Sequence, residues 1–137
     1  MVEDGWLAPP RFHPTPARHG VALQAWPEHP TPERHLELLG GSSHVVLALE
    51  RDAVVGYVTA ISDGVLAAYI PLLEVLPPHR GRGIGSELMR RMMAKLEHLY
   101  MVDLVCDEKR RPFYGRLGMN PASAMIIRRR ERQSGAA

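Results

Sequence analysis

The junction within residues 71–93 constrains the fold of this chain more than any other stretch of its sequence. An apolar run with strand character, Val65 to Leu76, leads into a run with helical spacing through three alternating glycines, Gly81, Gly83 and Gly85. Glycines at such a turn let the backbone approach a ligand closely, and the first N–H groups of a helix have no intrahelical partner. The junction is therefore a candidate anion site, and phosphate is its natural guest.

Two arginines, Arg80 and Arg82, lie beside this turn and favour a bound phosphate over a tight turn with no ligand. A P-loop requires Lys-Ser or Lys-Thr after its last glycine, and here Gly85 is followed by Ser86-Glu87, which excludes an ordinary Walker site. A dinucleotide-binding turn requires a glycine where this chain has Ser86. Asp103 lies about twenty residues on, as the ribose-binding acid of that fold would, so the dinucleotide interpretation stays open as a minor one.

The remaining elements predict short strands interleaved with helices. Thr31-Pro32-Glu33 has the pattern of a helix start, and the glycines at 40 and 41 should stop that helix. Pro71 conflicts with a regular central strand, because proline cannot donate to the ladder, and it predicts a bulge or a locally unpaired stretch there. We expect strands at 21–26, 44–49, 54–61, 65–76, 101–106 and 124–127, and helices from residue 31, from residue 84 and at 111–117.

With 137 residues, the chain is expected to form a single domain. Residues 1–19 hold four prolines and no apolar periodicity, which predicts an arm that forms no element of the domain. The domain should span 20–130, and 131–137 should form a flexible tail. A lone Cys106, no basic-then-apolar leader and no long apolar run together predict a soluble, cytoplasmic protein without a membrane segment. The seven histidines show no metal-ligand spacing, so no metal is expected.

Two sequence motifs, and the order in which they occur, resemble those of the Gcn5-related N-acetyltransferase (GNAT) superfamily. Arg80-Gly81-Arg82-Gly83-Ile84-Gly85 is similar to the family's Arg/Gln-x-x-Gly-x-Gly/Ala signature, and Phe113-Tyr114-Gly115-Arg116-Leu117-Gly118-Met119 is similar to its Phe-Tyr-x-x-Leu-Gly-Phe segment. The resemblance covers residues 44–127 well and 21–40 loosely. It implies an α/β (α+β) fold with a mixed, mostly antiparallel central sheet, a splayed central strand and flanking helices.

The resemblance also implies how acetyl-coenzyme A would bind. The pantetheine arm would pair with the main chain of Leu73, Glu74 and Val75, and the pyrophosphate would lie against the turn formed by Arg80, Gly81, Arg82, Gly83, Ile84, Gly85 and Ser86. The family often has an asparagine at the position of Asp107, near the cofactor. A carboxylate cannot donate as an amide does, so the contact of Asp107 departs from the family pattern.

Two catalytic roles are implied in the same way. Tyr114 matches the tyrosine that acts as general acid toward the departing thiolate, although a tyrosine that only anchors its helix is the simpler interpretation. An amine of pKa ~10.4 costs roughly 4.6 kcal/mol to deprotonate at pH 7, so a base is expected. Glu74, the only charged residue between Val65 and Leu76, is the leading candidate for the base and Asp103 the second. A carboxylate paired with a nearby arginine is an equal alternative for Glu74.

The resulting prediction is an acetyltransferase that moves an acetyl group from acetyl-CoA directly to a primary amine of a small molecule or peptide. A non-catalytic module that senses CoA or acyl-CoA, or uses it as a scaffold, is the alternative. A nucleic-acid-binding domain is a third hypothesis, supported by the basic run Arg128-Arg129-Arg130, which is more often a solvated surface. We expect no nucleic-acid partner. The resemblance leaves a homodimer open, since dimers are common among relatives.

Overall fold

The structure is a computed structural model that describes the backbone of residues 2–4 and the whole of residues 30–136. The predicted strand at 21–26 lies outside these residues. Within these residues, five strands and three α-helices follow one another as β1 (Val2–Asp4), α1 (Pro32–Gly41), β2 (His44–Glu50), β3 (Ala53–Ser62), β4 (Ala67–Val75), α2 (Ile84–Lys95), β5 (Met101–Asp103) and α3 (Arg111–Gly115). Short 3₁₀ turns occupy Pro77–His79, Glu108–Arg110 and Arg130–Arg132.

The strands form one mixed sheet in the order β1-β2-β3-β4-β5. The neighbouring strands from β1 to β4 run antiparallel to one another, whereas β5 runs parallel to β4. The β2–β3 hairpin turns at Arg51 and Asp52, whose φ values of 50° and 63° suit a two-residue hairpin turn. The predicted fold class, a mixed and mostly antiparallel sheet flanked by helices, is confirmed.

Each face of the sheet is covered by one of the longer helices. Helix α1 begins where the sequence predicts, with the Thr31 hydroxyl accepting from the Arg34 backbone N–H at 3.2 Å. It packs with Leu39 against the face that carries Leu47 and Tyr57. Helix α2 covers the other face with fully buried residues at helical spacing, Leu88, Met89 and Met92. The larger apolar core lies on this second face, between α2 and strands β2 to β4.

A bulge in β4 separates it from β5. Thr59 pairs with Leu72 and Ile61 pairs with Tyr69, so one residue of β3 lies opposite two residues of β4, Ile70 and Pro71. The bulge predicted from Pro71 is therefore confirmed. Pairing between β4 and β5 ends at Tyr69, directly before the bulge, although β4 continues to Val75. The two strands diverge beyond this point.

Four sequence-based expectations need correction. Residues 2–4, placed in an arm without elements, add a short strand to the open edge of β2, which offers unpaired backbone groups. The strand expected over 101–106 ends at Asp103, because β4 diverges from it. Residues 124–127 form no strand, since no other strand of the described chain pairs with them. The helix expected over 111–117 ends at Gly115, whereas helix α1 ends at Gly41, as its two glycines predict.

The domain limits at residues 19/20 and 130/131 stay predictions. None of the helices in the described part of the chain is long and apolar enough to cross a bilayer.

Candidate active site

A cavity of about 770 Å³ opens where β4 and the chain after β5 diverge. One wall is the second half of β4, and the opposite wall is the stretch from Leu104 to Asp107. The glycine turn and the start of α2 close one end, and residues of α3 contribute Phe113 and Tyr114. The cavity therefore joins the glycine turn of the first motif with Phe113 and Tyr114 of the second.

The glycine turn requires its glycines for backbone conformation, and they border open space. Gly81 and Gly83 have φ values of 77° and 79°, and a Cβ on either would meet nothing within 4 Å. Both Cα atoms thus face open space in the cavity wall rather than packed protein. The first intrahelical bond of α2 runs from the Glu87 N–H to the Gly83 carbonyl at 3.1 Å, which leaves the preceding N–H groups without helical partners.

Arg80 holds the turn against the end of β4. Its Nε donates to the Val75 carbonyl oxygen at 2.9 Å. The side chain of Arg82, by contrast, lies within 3.2 Å of the His79 ring nitrogen and does not line the cavity. The two arginines that flank the turn in sequence therefore occupy different environments.

Glu74 is a half-buried carboxyl group in the cavity wall. It lies directly opposite Tyr57 in the pairing of β3 with β4, and so projects toward the face that α1 covers. Burial raises its pKa from 4.5 to about 7, against the opposing charges of Arg80 and Arg110. A carboxylate that titrates near neutral pH is suited to accept a proton at physiological pH.

Tyr114 is a half-buried phenol in the same cavity. Burial raises its pKa above the usual 10, and the neighbouring Cys106 thiol and the Glu74 carboxylate act in the same direction. The Arg110 guanidinium opposes them. The Tyr114 ring packs edge-on against the ring of Phe113, with the two ring centroids 4.9 Å apart. The hydroxyl therefore stays protonated at neutral pH and is available as a donor.

Sequence reasoning missed two residues close to Glu74. Arg110 lines the cavity and its charge acts on both Glu74 and Tyr114, and the basic run before the second motif was the available signal. Tyr57 is 2% exposed, and its hydroxyl has no hydrogen-bond partner among the described residues. Burial raises the pKa of the Tyr57 hydroxyl, and the nearby Glu74 carboxylate raises it further by a smaller amount. No local sequence signal identifies Tyr57, because its position beside Glu74 depends on the strand register.

The structure brings together all the predicted site residues except Arg82. The cavity wall includes both catalytic candidates, Glu74 and Tyr114, and the cofactor-binding candidates Leu73, Val75, Arg80, Gly81, Gly83, Ile84, Gly85, Ser86 and Asp107. The second candidate base, Asp103, is an exposed residue of β5 opposite Tyr69 and lies outside the wall. Within residues 30–136, no three His, Cys, Asp or Glu side chains are arranged to hold a metal ion.

Comparison with known proteins agrees with this geometry. The sequence model of the acetyltransferase (GNAT) family matches residues 7–119. A curated protein of Gibberella zeae, named as an acetyltransferase on a provisional basis, is 32% identical over 90 residues, which are 64% of this chain and 51% of that protein. The match therefore spans about half the length of that relative.

Solved structures give the same result. The crystal structure of a provisionally named acetyltransferase from Deinococcus radiodurans R1 has 45% identity and a TM-score of 0.88, covering 100% of this chain and 93% of the other. A GNAT-family acetyltransferase of Streptococcus pneumoniae TIGR4 has 26% identity and a TM-score of 0.73, covering 95% and 98%. The chain belongs to the GNAT acetyltransferase family.

Proposed function

We propose that this protein is an N-acetyltransferase that transfers an acetyl group from acetyl-CoA directly to a primary amine. One observation carries the proposal: the gap between β4 and the chain after β5 connects a glycine turn suited to phosphate with a carboxyl group and a phenol suited to proton transfer. Family membership gives the class of reaction, and this geometry supports the donor and the kind of acceptor.

The residues present fit an acetyl-CoA molecule. Pairing of β4 with β5 ends at Tyr69, so the second half of β4 can offer the backbone groups on its β5 side to an amide-containing arm such as pantetheine. The N-terminus of α2 offers free N–H groups and the positive end of a helix dipole to the pyrophosphate. The open space at Gly81 and Gly83 lets the phosphates approach the backbone. Acetyl-CoA, when bound, supplies the acetyl group as a thioester.

Glu74 and Tyr114 divide the proton chemistry of the transfer. As the amine nitrogen forms its bond to the acetyl carbon, Glu74 accepts a proton from that nitrogen. As the carbon–sulfur bond breaks, the Tyr114 hydroxyl donates a hydrogen bond to the departing sulfur and then its proton. The products are an amide and free CoA, and proton exchange through solvent returns both groups to their starting states. Because Glu74 projects toward the α1 side of the sheet, the amine approaches from that side.

A pair of glycine variants tests the donor site. Gly83→Ala places a methyl group in the proposed phosphate path, while Gly64→Ala places one in open space at nearly the same φ, 77° against 79°. Both variants carry the same backbone strain, on the order of 1 kcal/mol. We expect calorimetric titration with CoA to show at least about tenfold weaker binding for Gly83→Ala and unchanged binding for Gly64→Ala. Equal affinities in the two variants would remove the turn from the donor site.

Turnover separates the enzyme from the sensor alternative. Acetyl-CoA is incubated with the protein and a panel of primary amines, including peptide, aliphatic and polyamine acceptors, and released CoA is measured with a thiol reagent. Acceptor-dependent release supports the proposed transfer. If CoA binds and no amine accelerates its release, the non-catalytic CoA-binding function replaces it. If CoA fails to bind at about 100 µM, both functions are wrong.

A further inference from the structure

Two buried hydroxyl groups on strand β3 have no hydrogen-bond partner within residues 2–4 and 30–136. Tyr57 is 2% exposed and Thr59 is 0% exposed, and neither Tyr57 Oη nor Thr59 Oγ1 contacts a donor or acceptor in that part of the chain. A buried hydroxyl without a partner costs free energy, and native proteins satisfy most such groups with protein atoms or with ordered water. The described residues do not supply that partner for either hydroxyl.

Tyr57 differs from Thr59 in the residue that lies beside it. Tyr57 is directly opposite Glu74 in the pairing of β3 with β4, whereas Thr59 is opposite Leu72. Directly paired side chains leave the sheet on the same face, with Cβ atoms about 4.5–5.5 Å apart. His35 of α1 packs edge-on against the Tyr57 ring, with ring centroids 5.2 Å apart. The Tyr57 hydroxyl is therefore held on the same side of the sheet as the Glu74 carboxyl group.

The hydroxyl and the carboxyl group are close without a direct hydrogen bond between them. Tyr57 Oη makes no hydrogen bond to either Glu74 oxygen. Burial raises the pKa of the Tyr57 hydroxyl most, and the Glu74 carboxylate raises it further, so its charge acts on the phenol. The phenol therefore stays protonated at neutral pH and is a donor. A gap across which the charge acts, without direct contact, is one that a single water can bridge.

Glu74 has an oxygen to spare for such a bridge. A carboxylate has two acceptor oxygens, and the proposed transfer uses one of them to take the amine proton. Glu74 is half-buried, lines the cavity and lies on the face that α1 covers. A hydrogen bond donated to the ionised carboxylate favours that form and lowers its pKa, against the burial that raises it. The bridge would thus keep more of the base ionised at neutral pH.

We propose that Tyr57 positions the Glu74 carboxylate through one buried water: the Tyr57 hydroxyl donates to the water, and the water donates to the Glu74 oxygen that does not take the amine proton. This role of Tyr57 rests on the proposed function, in which Glu74 is the base. No proton passes through Tyr57, so its hydroxyl is unchanged by turnover. Tyr57 acts through Glu74 and is a positioning residue.

Other titratable and charged groups also face this pair. Arg80 and Arg110 lower the pKa of Glu74, and their charges remain whether or not the bridge is present. The groups around the pair, apart from Glu74 and Tyr57 themselves, are His35 of α1, His79 and Arg80 after β4, Cys106 and Asp107 after β5, Arg110 before α3, and Tyr114 within it. A pH profile of activity alone would combine their titrations, so the Glu74 carboxyl group has to be observed directly.

Isosteric removal of each hydroxyl tests the bridge. In protein labelled with ¹³C at its glutamate carboxyl groups, an NMR titration gives the pKa of Glu74, whose signal is assigned by its loss in Glu74→Gln. Tyr57→Phe should raise this pKa by about one unit, because the ionised carboxylate loses a hydrogen bond. Thr59→Val removes an equally buried hydroxyl opposite Leu72 and should change it by less than about 0.3 unit. An unchanged or lowered pKa in Tyr57→Phe, or equal shifts in the two variants, would overturn the proposal.

Activity and a crystal structure give two further readouts. At the midpoint of the parent's pH profile, kcat/KM of Tyr57→Phe should be about fivefold lower, and about two pH units higher it should be within about twofold of the parent. A loss that is the same at every pH would contradict the positioning role. A crystal structure of the parent should show a water about 3 Å from both the Tyr57 hydroxyl and a Glu74 oxygen. No water there would exclude the bridge, even if Tyr57→Phe did not fold.

The two structural readouts are independent of acetyl transfer. The NMR titration and the crystal structure require no turnover, so either can contradict the bridge while the protein remains an active acetyltransferase. Conversely, a protein that binds CoA and acetylates no amine would contradict the proposed function while the Glu74 pKa still responds to Tyr57→Phe. The failure of one proposal is therefore distinguishable from the failure of the other.

Discussion

Glu74→Gln should make the protein more stable and less active at the same pH. The folded carboxyl group has a pKa of about 7, raised by burial from 4.5. Between these pH values the folded chain keeps a proton that the unfolded chain has released. Stability therefore falls as pH rises from about 4.5 to 7, and the loss is constant above that range. Glutamine has nearly the same shape and carries no charge, so it should remove this loss.

The size of the effect follows from the two pKa values. Their difference of about 2.5, at about 1.4 kcal/mol per pKa unit, sets an upper limit of about 3.4 kcal/mol. Because the group is only half-buried, water screens its charge, and we expect about 1–2 kcal/mol. Urea unfolding should show Glu74→Gln more stable than the parent by this amount at pH 8, and equal to it near pH 4.5.

Activity should change in the opposite direction. Loss of a general base lowers kcat/KM by about 10²–10⁴-fold. The kcat/KM of the parent should rise with pH as a group with a pKa of about 7 loses its proton, and the variant should lack this rise. Titration of the amine is common to both profiles and cancels in their ratio. Glu97→Gln, at an exposed carboxylate outside the cavity, serves as the matched control and should retain the parent's profile. Asp103→Asn tests the second candidate base, and because Asp103 lies outside the cavity wall we expect this variant to retain the profile as well.

The opposite changes expected in stability and in activity distinguish the two interpretations of Glu74, a general base and a carboxylate paired with an arginine. If the carboxylate served a structural pairing with Arg80 or Arg110, removing its charge would destabilise the protein at pH 8 and leave the pH profile near 7 in place. A less stable Glu74→Gln variant, or one that retains the parent's turnover, would refute the general-base role. A residue that costs stability and supports turnover is the expected behaviour of an active-site group.

Two other variants test the surroundings of Glu74. Tyr114→Phe removes the proton donor but keeps the ring that packs on Phe113. Stopped-flow and steady-state assays should therefore show kcat lowered by about 10²-fold or more, with CoA affinity unchanged. A variant with the turnover of the parent would exclude the acid role. Gly56→Ala brings a Cβ to 3.0 Å from the Glu74 carbonyl oxygen and 3.3 Å from Leu88, and should lower unfolding free energy by about 1–2 kcal/mol. Gly41→Ala is the control, because a Cβ at Gly41 would meet no atom within 4 Å, and it should leave the unfolding free energy unchanged or raise it. Equal changes in unfolding free energy for the two substitutions would contradict the packing argument.

How much of this protein can be predicted from its sequence depends on whether the determining contacts are local. Helix α2 follows from the spacing of its own apolar residues, and Pro71, which has no N–H to donate to the ladder, marks the position of the bulge. The glycine turn is contiguous in the chain and was predicted as a unit. Residues 124–127 have strand propensity, but a strand also requires a neighbour, and no local pattern shows that the described chain lacks one.

The missed part of the site has the same physical origin. Tyr57 meets Glu74 only through the register of β3 against β4, and Arg110 reaches the cavity from a turn far along the chain. Arg82 shows the converse, because it belongs to the glycine motif in sequence, yet its side chain contacts the His79 ring and does not line the cavity. Sequence motifs therefore predict the residues that are contiguous with them, while the residues that the sheet register brings to Glu74 escape a prediction from sequence.

The bulge also decides which face of the sheet Glu74 occupies. Side chains alternate along a strand, so without an extra residue Glu74 would share a face with Ala68 and Ile70, in the core beneath α2. With the extra residue, Leu73 and Val75 take that face and Glu74 lies opposite Tyr57. The same extra residue is where pairing between β4 and β5 ends. One insertion thus opens the gap and directs the carboxyl group toward the amine's side.

Deleting Pro71 tests this argument, because either half of β4 must then change faces. One outcome buries the Glu74 carboxyl group among apolar side chains, and the other withdraws Ile70 from the core; each should cost at least about 2 kcal/mol in urea unfolding. Pro71→Ala keeps the residue count and the bulge, so it should cost less than about 1 kcal/mol. If the deletion is as stable as the substitution, the bulge does not set the face of Glu74.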